Sequence, residues 1–459
     1  MKPLIALVLA ASSLLADVRL PPYKRQVLPN GIVLDIIPRH DVPLVTLRFV
    51  VRGGVESEPP ELSGLASVTA EALRRGTTTR SADAFSLQLD ELGATFVTAA
   101  SMDASSLTTE FLAKDFEKGL TLAADALLRP SFPEAEMKKL LAQRIDAVKA
   151  LKDNPGAAAS EYYRSFFFGP QHPYGRPADA ETLGRIDRKA IADYHKQMYA
   201  GRNLIIVVAG DVDPDTAAAA VTKEFGDLPE GSAYQWKQAK LPETKGARVG
   251  IVDRPDATET QFRIGTPGIS RTDPDRIPLW LVNTLFGGRF TSMLNEALRV
   301  NSGLTYGAGS FYDQNHLRGR ISISSFTATA TTIRAIDMAV DLLSRLAEKG
   351  ITEQQLTSAK AYLKGTYPPQ HLETPDQLAD VLADIELFDL NRDEVDDLFA
   401  RIDAVTVEQA NAIARKYYSP GDLTFLLLGK ASSFAEGMKK YDAKAVQVPI
   451  TDPGLRVTH

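Results

Sequence analysis

Cysteine is absent from the 459-residue chain. Its absence excludes disulfides, thiolate metal sites and cysteine nucleophiles. Histidine is sparse. The six are His40, His172, His195, His316, His371 and His459, and no two stand at a recognised metal-pair spacing. Basic blocks are missing as well. With 52 Lys and Arg against 58 Asp and Glu, the net charge is −6, so the chain lacks the electrostatic footprint of a nucleic-acid binder. The one long apolar run, Pro3 to Ala16, is shorter than the roughly 20 residues that span a bilayer. Placed behind Lys2 and ahead of Asp17, it reads as a secretory signal peptide over 1–16, with an uncleaved N-terminal anchor as the alternative. The expectation is an exported soluble protein, periplasmic in a cell with two membranes, with no membrane span after signal removal.

What the chain does have is an ordinary globular composition, 44% hydrophobic and 24% charged, and a repeat. "MYAGRNLIIVVAGDV" (Met198 to Val212) and "YYSPGDLTFLLLGKA" (Tyr417 to Ala431) share a tyrosine, a polar turn, a leucine, an apolar strand and a glycine. Their offset is 219 residues throughout. "RID" stands upstream of each, at Arg185–Asp187 and Arg401–Asp403. A period of this length indicates a duplicated domain rather than a solenoid, whose units are only about 20–50 residues.

Both halves open with β-branched strands and continue into helical stretches. In the first half the strands are "GIVLDIIPR" and "LVTLRFVVRGG", and "GATFVTAASMDASSLTTEFL" reads as a further strand. Helices are expected at 64–75, 82–92, 113–128 and 134–151. In the second half strands are expected at 249–252 and 261–266, and helices at 278–286 and 289–301. The predicted class is α+β: two homologous two-layer α/β-sandwich domains, 17–228 and 248–459, joined by a linker at 229–247 whose Pro, Gly and polar residues carry no period.

The stretch "GLASVTAEALRRGT" (Gly64 to Thr77) frames a helix between glycines. It resembles the pitrilysin/insulinase-like zinc peptidases and, within them, the mitochondrial-processing-peptidase-like branch. Active members carry H-x-x-E-H here. Two imidazoles at i and i+4 share a helix face and grip Zn²⁺, and the carboxylate between them deprotonates the bound water. In this sequence the histidine positions are Ser67 and Glu71, the base position is Ala70, and the third ligand position falls on Ala147. A lone Glu71 cannot hold zinc where at least three protein ligands are needed. The chain is therefore expected to bind no metal and to have no catalytic residues of its own at this site. Glu71 points into an emptied site, where an arginine could pair with it, and the helix could be purely structural. His172, in "HPYGRP", reads as a hydrogen-bonded loop histidine. In active members the strand after "GA" offers an asparagine to substrate, and here Val97 stands in that place.

"LFGGRFTSMLNEALRVNSGLTYGAGSFY" (Leu285 to Tyr312) is similar to the family's C-terminal signature, in which an arginine and a tyrosine face the zinc site. Here they are Arg299 and Tyr306, framed by Leu298 and Gly303-Leu304. A guanidinium and a phenol are good fixed donors to substrate carbonyls or a developing oxyanion. Alone, R-x6-Y would read as a helix-end cation and a strand aromatic, and the surrounding frame favours substrate binding. The resemblance runs from about Lys24 to about Gly429 and implies a clam-like pair. This chain would supply Arg299 and Tyr306 in trans. A homologous subunit carrying H-x-x-E-H would supply zinc, and a peptide or small protein would be the substrate. A non-enzymatic peptide-binding or scaffold subunit is the second reading. A hydrolase built on Ser67 lacks the His-Asp partners that activation requires.

Overall fold

The computed structural model describes residues 18–457; the expected signal segment and His459 lie outside them. The strands are β1 (Lys24–Val27), β2 (Val33–Pro38), β3 (Leu44–Arg52), β4 (Val97–Ala100), β5 (Ala104–Leu112), β6 (Leu204–Gly210), β7 (Arg248–Asp253), β8 (Glu259–Pro267), β9 (Ala308–Tyr312), β10 (Arg320–Ala328), β11 (Thr424–Gly429) and β12 (Val446–Pro449). They form two six-stranded sheets, ordered β1-β2-β6-β3-β5-β4 and β12-β7-β11-β8-β10-β9. β6 and β11, the strands of the 219-residue repeat, occupy equivalent third places. Each runs parallel to one neighbour and antiparallel to the other. The sheets differ at the first edge, where β1 runs antiparallel to β2 but β12 runs parallel to β7.

Strand alternation sends side chains to two cores per sheet. Leu34, Ile36, Ile206 and Val208 face the first half's own helices, Leu65–Ala72, Ala82–Leu92, Phe116–Leu128, Arg188–Met198 and Pro214–Phe225. Val33, Ile37, Ile205 and Val207 face the other way, onto the helix Pro375–Leu387 of the second half. The exchange is reciprocal. Leu426 and Leu428 pack on the helix Pro155–Phe168 of the first half, through Ala159, Tyr162, Tyr163 and Phe166. Both lent helices begin with a capping residue before Pro: Asn154 accepts from Ala157 N (3.2 Å), and Thr374 accepts from Gln377 N (3.2 Å). The two halves thus share their cores.

Residues 229–247 contain neither helix nor strand, yet they are strapped down. Tyr234 N donates to Asn203 Oδ1 (2.7 Å), Lys237 N donates to Glu56 Oε1 (2.5 Å), and Trp236 stacks on His316 with ring centroids 4.3 Å apart.

Several expected elements differ. The stretch 93–112 holds a hairpin of β4 and β5, not one strand. Ser101 turns it by accepting from Asp103 N (3.3 Å) and Ala104 N (3.1 Å) through Oγ. The helix expected at 113–128 opens with a 3₁₀ turn and becomes α-helical at Phe116. The helix expected at 278–286 is α-helical over Arg276–Asn283 and then π-helical over Thr284–Gly288. The helix expected at 289–301 is a short α turn, Met293–Asn295, leading into a π-helix, Glu296–Asn301.

Candidate functional site

The helix Leu65–Ala72 starts at Gly64, whose φ of +103° puts it in the left-handed region and whose lack of a side chain leaves the helix N-terminus uncapped locally. Glu58 fills that role. Its carboxylate accepts from Gly64 N (2.9 Å) and Ala66 N (2.8 Å) while only 3% exposed. Burial pushes the Glu58 carboxyl up to about 7, against the pull of the two N–H bonds and of Arg164 and Lys237. Leu65, Val68, Ala72 and Leu73 anchor the helix in the first core.

Along it, Ala70 is buried, and Ser67 and Glu71 are partly exposed. Glu71 Oε1 pairs with Arg144 Nη1 at 3.0 Å. Arg144 lies on the helix Glu134–Leu151, one turn before the exposed Ala147. One turn on, Arg75 donates to Gln143 Oε1 (3.2 Å) and pairs with Glu136 (3.6 Å) on that same helix. Two helices that in active relatives would share a metal are here joined by side-chain ion pairs. With Glu71 and Arg144 each about one-third exposed, such a link contributes only about 0.2–1 kcal/mol. Ser67, Ala70 and Ala147 offer no imidazole or carboxylate. Among the described residues no group of three or more His, Asp or Glu is placed to hold a metal.

Two of the histidines, His172 and His195, sit in structural roles. His172 is buried and accepts from Tyr174 N (3.1 Å) through Nδ1; burial lowers it to about 4. His195 Nε2 meets Leu127 O at 2.8 Å, its ring stacks on Tyr199, and burial likewise lowers it to about 4.

In the second half, Leu298 and Leu304 are buried and pin the turn, with Leu304 N donating to Leu298 O (2.9 Å). Gly303, at φ +63°, reverses the chain between them. Thr305 is buried; its Oγ1 donates to Gly307 O (3.0 Å) and accepts from Gly307 N (3.1 Å). On this clamped backbone Tyr306 is 81% exposed. It lies in the loop before β9, not within the strand where the sequence placed it. Arg299 is exposed on the π-turn, its guanidinium 5.0 Å from the centroid of the Phe290 ring. The i→i+5 turn re-aims side chains relative to an α-helix, a device that recurs at functional sites. Val97, 60% exposed, stands on the outer edge strand β4 of the first sheet.

Sequence reading named these positions but missed Glu58 and Arg144. Arg144 carried a signal, being a cation one turn before the lost ligand position. Glu58 carried none, because its bond partners are fixed only by the loop between.

Known proteins bear on this arrangement directly. The description "Insulinase (Peptidase family M16)" matches residues 36–169, and "Peptidase M16 inactive domain" matches residues 185–363. A zinc protease of Mycobacterium leprae is 25% identical over 85% of this chain and 88% of its own length. A protein of Helicobacter pylori described as a non-peptidase homolog is 23% identical over 85% of this chain and 90% of its own. The crystal structure of a peptidase M16 inactive domain from Pseudomonas fluorescens superposes with a TM-score of 0.83 at 24% identity, over 89% of this chain and 98% of that one. With two duplicated α/β halves and a zinc helix stripped of its ligands, the chain belongs to the insulinase-like M16 peptidase family, as a member lacking the catalytic motif.

Proposed function

We propose that the chain is the zinc-less subunit of a heterodimeric exported metallopeptidase, acting in the periplasm where the cell has one. A homologous partner carrying H-x-x-E-H supplies the zinc and its activated water. This chain supplies Arg299 and Tyr306 in trans, together with half the wall of a closed chamber for peptides or small proteins. One observation carries the reading. The backbone around Arg299 and Tyr306 is locked by the buried Leu298, Leu304 and Thr305, while both functional side chains stand exposed. The clamped backbone that carries Tyr306 has little further freedom to lose on binding. The guanidinium, held over Phe290, is a fixed donor for a substrate carbonyl. The first half, where Glu71 and Arg144 face each other, has no such equipment.

The test is reconstitution of the pair with Arg299→Ala. Loss of one charge-assisted donor at the reacting peptide should lower kcat/KM by about tenfold or more, with assembly unchanged by size-exclusion chromatography. Unchanged turnover would remove the proposed role and favour a scaffold.

A further inference from the structure

Beyond Arg299 the surface continues into an open groove of about 650 Å³, bordered by Arg289, Phe290, Phe311, Phe326 and Tyr362. Its floor is one face of the second sheet, where Gly309 and Phe311 of β9 lie beside Ser324 and Phe326 of β10. β9 pairs with β10 on one side; on the other, Ser310 O accepts from Asn283 Nδ2 (2.9 Å) and Ala308 N donates to Asn295 Oδ1 (3.4 Å), so that edge is already capped. Gly307 faces open space, and the Phe311 ring lies over Gly309, 3.3 Å from where a Cβ would stand. Phe290 is 64% and Phe311 63% exposed, and no other phenylalanine among the described residues is comparably open. Monomeric proteins rarely leave such aromatic surface contiguous without a use for it.

The groove is also cationic. Arg289 donates to Ser358 Oγ (3.1 Å) and lies 5.7 Å from the centroid of the Tyr362 ring. Arg299 lies over Phe290, the residue next to Arg289. Among the described residues neither guanidinium has a carboxylate within ion-pair distance, although most other arginines of the chain do. Exposed aromatics and two guanidiniums without a carboxylate partner fit one occupant, a peptide segment that offers an acidic and an apolar side chain.

We infer that this groove selects the peptide's side chains, taking an acidic residue against Arg289 and Arg299 and a neighbouring apolar residue against Phe290 and Phe311. The inference rests on the proposed function and names its substrate class: segments that carry an internal Asp or Glu beside an aromatic or branched apolar residue. Arg289 and Phe311 set preference and take no part in the chemistry.

The test is fluorescence anisotropy of the full chain with three labelled decapeptides, acetylated and amidated, that differ only at a central Glu-Phe, Gln-Phe or Glu-Ser. Glu-Phe should bind about five- to tenfold tighter than either of the others. Arg289→Gln combined with Arg299→Gln should abolish the Glu/Gln difference and keep the Phe/Ser difference, and Phe290→Ser combined with Phe311→Ser should do the reverse. Should either variant fail to fold, raising salt from about 0.05 to about 0.3 M on the unmodified chain should close the Glu/Gln gap alone. Equal binding of all three peptides, no binding, or discrimination that survives both variants overturns the inference. If Arg299→Ala still lowers turnover in the pair, the proposed function stands without it. If discrimination holds but turnover is unaffected, the groove binds peptides and the catalytic role of Arg299 falls.

Discussion

Replacing Glu58 with Ala should lower folding stability by about 3 kcal/mol, because it strands two buried N–H groups at once. The donors are Gly64 N and Ala66 N, at the start of the helix that carries the emptied metal positions. No local residue can take over. Gly64 has no side chain, and a Cβ placed there would meet Leu183 Cδ2 at 2.8 Å. Glu58→Gln keeps an oxygen for one donor and should recover roughly half of the loss. Urea unfolding of the three proteins checks this. A loss below about 1 kcal/mol in the alanine variant would mean that the carboxylate is not what holds the helix start.

Asp35 gives the second large effect, as a pH dependence. It sits on β2, fully buried beneath the lent helix Pro375–Leu387, and neither carboxyl oxygen has a hydrogen-bond partner. Glu386 of that helix is bound instead by Arg25, at 2.7 and 3.0 Å. Burial raises the Asp35 carboxyl from 3.8 to about 8, helped by the nearby charge of Glu386 and opposed by Arg25. A carboxyl raised in the folded state holds its proton there more tightly than in the unfolded chain. Its contribution is full below about pH 4 and is lost as pH rises toward 8, at up to about 1.4 kcal/mol per pH unit. Asp35→Asn removes that slope. The variant should gain on the unmodified protein steadily between pH 5 and pH 8 and be the more stable of the two at the upper end, by a few kcal/mol. Parallel stability curves across this range would show that Asp35 does not titrate there. Because Asp35 and Glu386 belong to opposite halves, the effect reports on the contact between them.

The duplication could be read from the chain because β6 and β11 are central, buried strands whose apolar runs admit few substitutions. The emptied metal helix was legible for a related reason: its glycine frame persists where its ligands do not. The exchange of helices between halves was not legible. An amphipathic stretch such as "ADVLADIEL" has the same pattern whether it covers its own sheet or another, and the pattern does not name the surface it meets. The π-turns around Arg299 were hidden because 3.6-residue periodicity cannot report an inserted residue. Asp35 did leave a trace as the one charge inside "VLDIIP", but the strand alone does not show that a second half covers it. The linker's anchoring by Glu56 and His316 depends on side chains roughly 80 to 180 residues away and has no local signature.

This chain is proposed as one half of a peptidase. That role is tested most directly by tagging the mature chain, recovering it from its native source under mild conditions, and identifying by mass spectrometry what co-elutes. The expected result is a stoichiometric homologous chain of similar size carrying H-x-x-E-H, with peptidase activity in the recovered pair and none in this chain alone. Recovery of this chain by itself, or with unrelated membrane proteins and no such homologue, would contradict it.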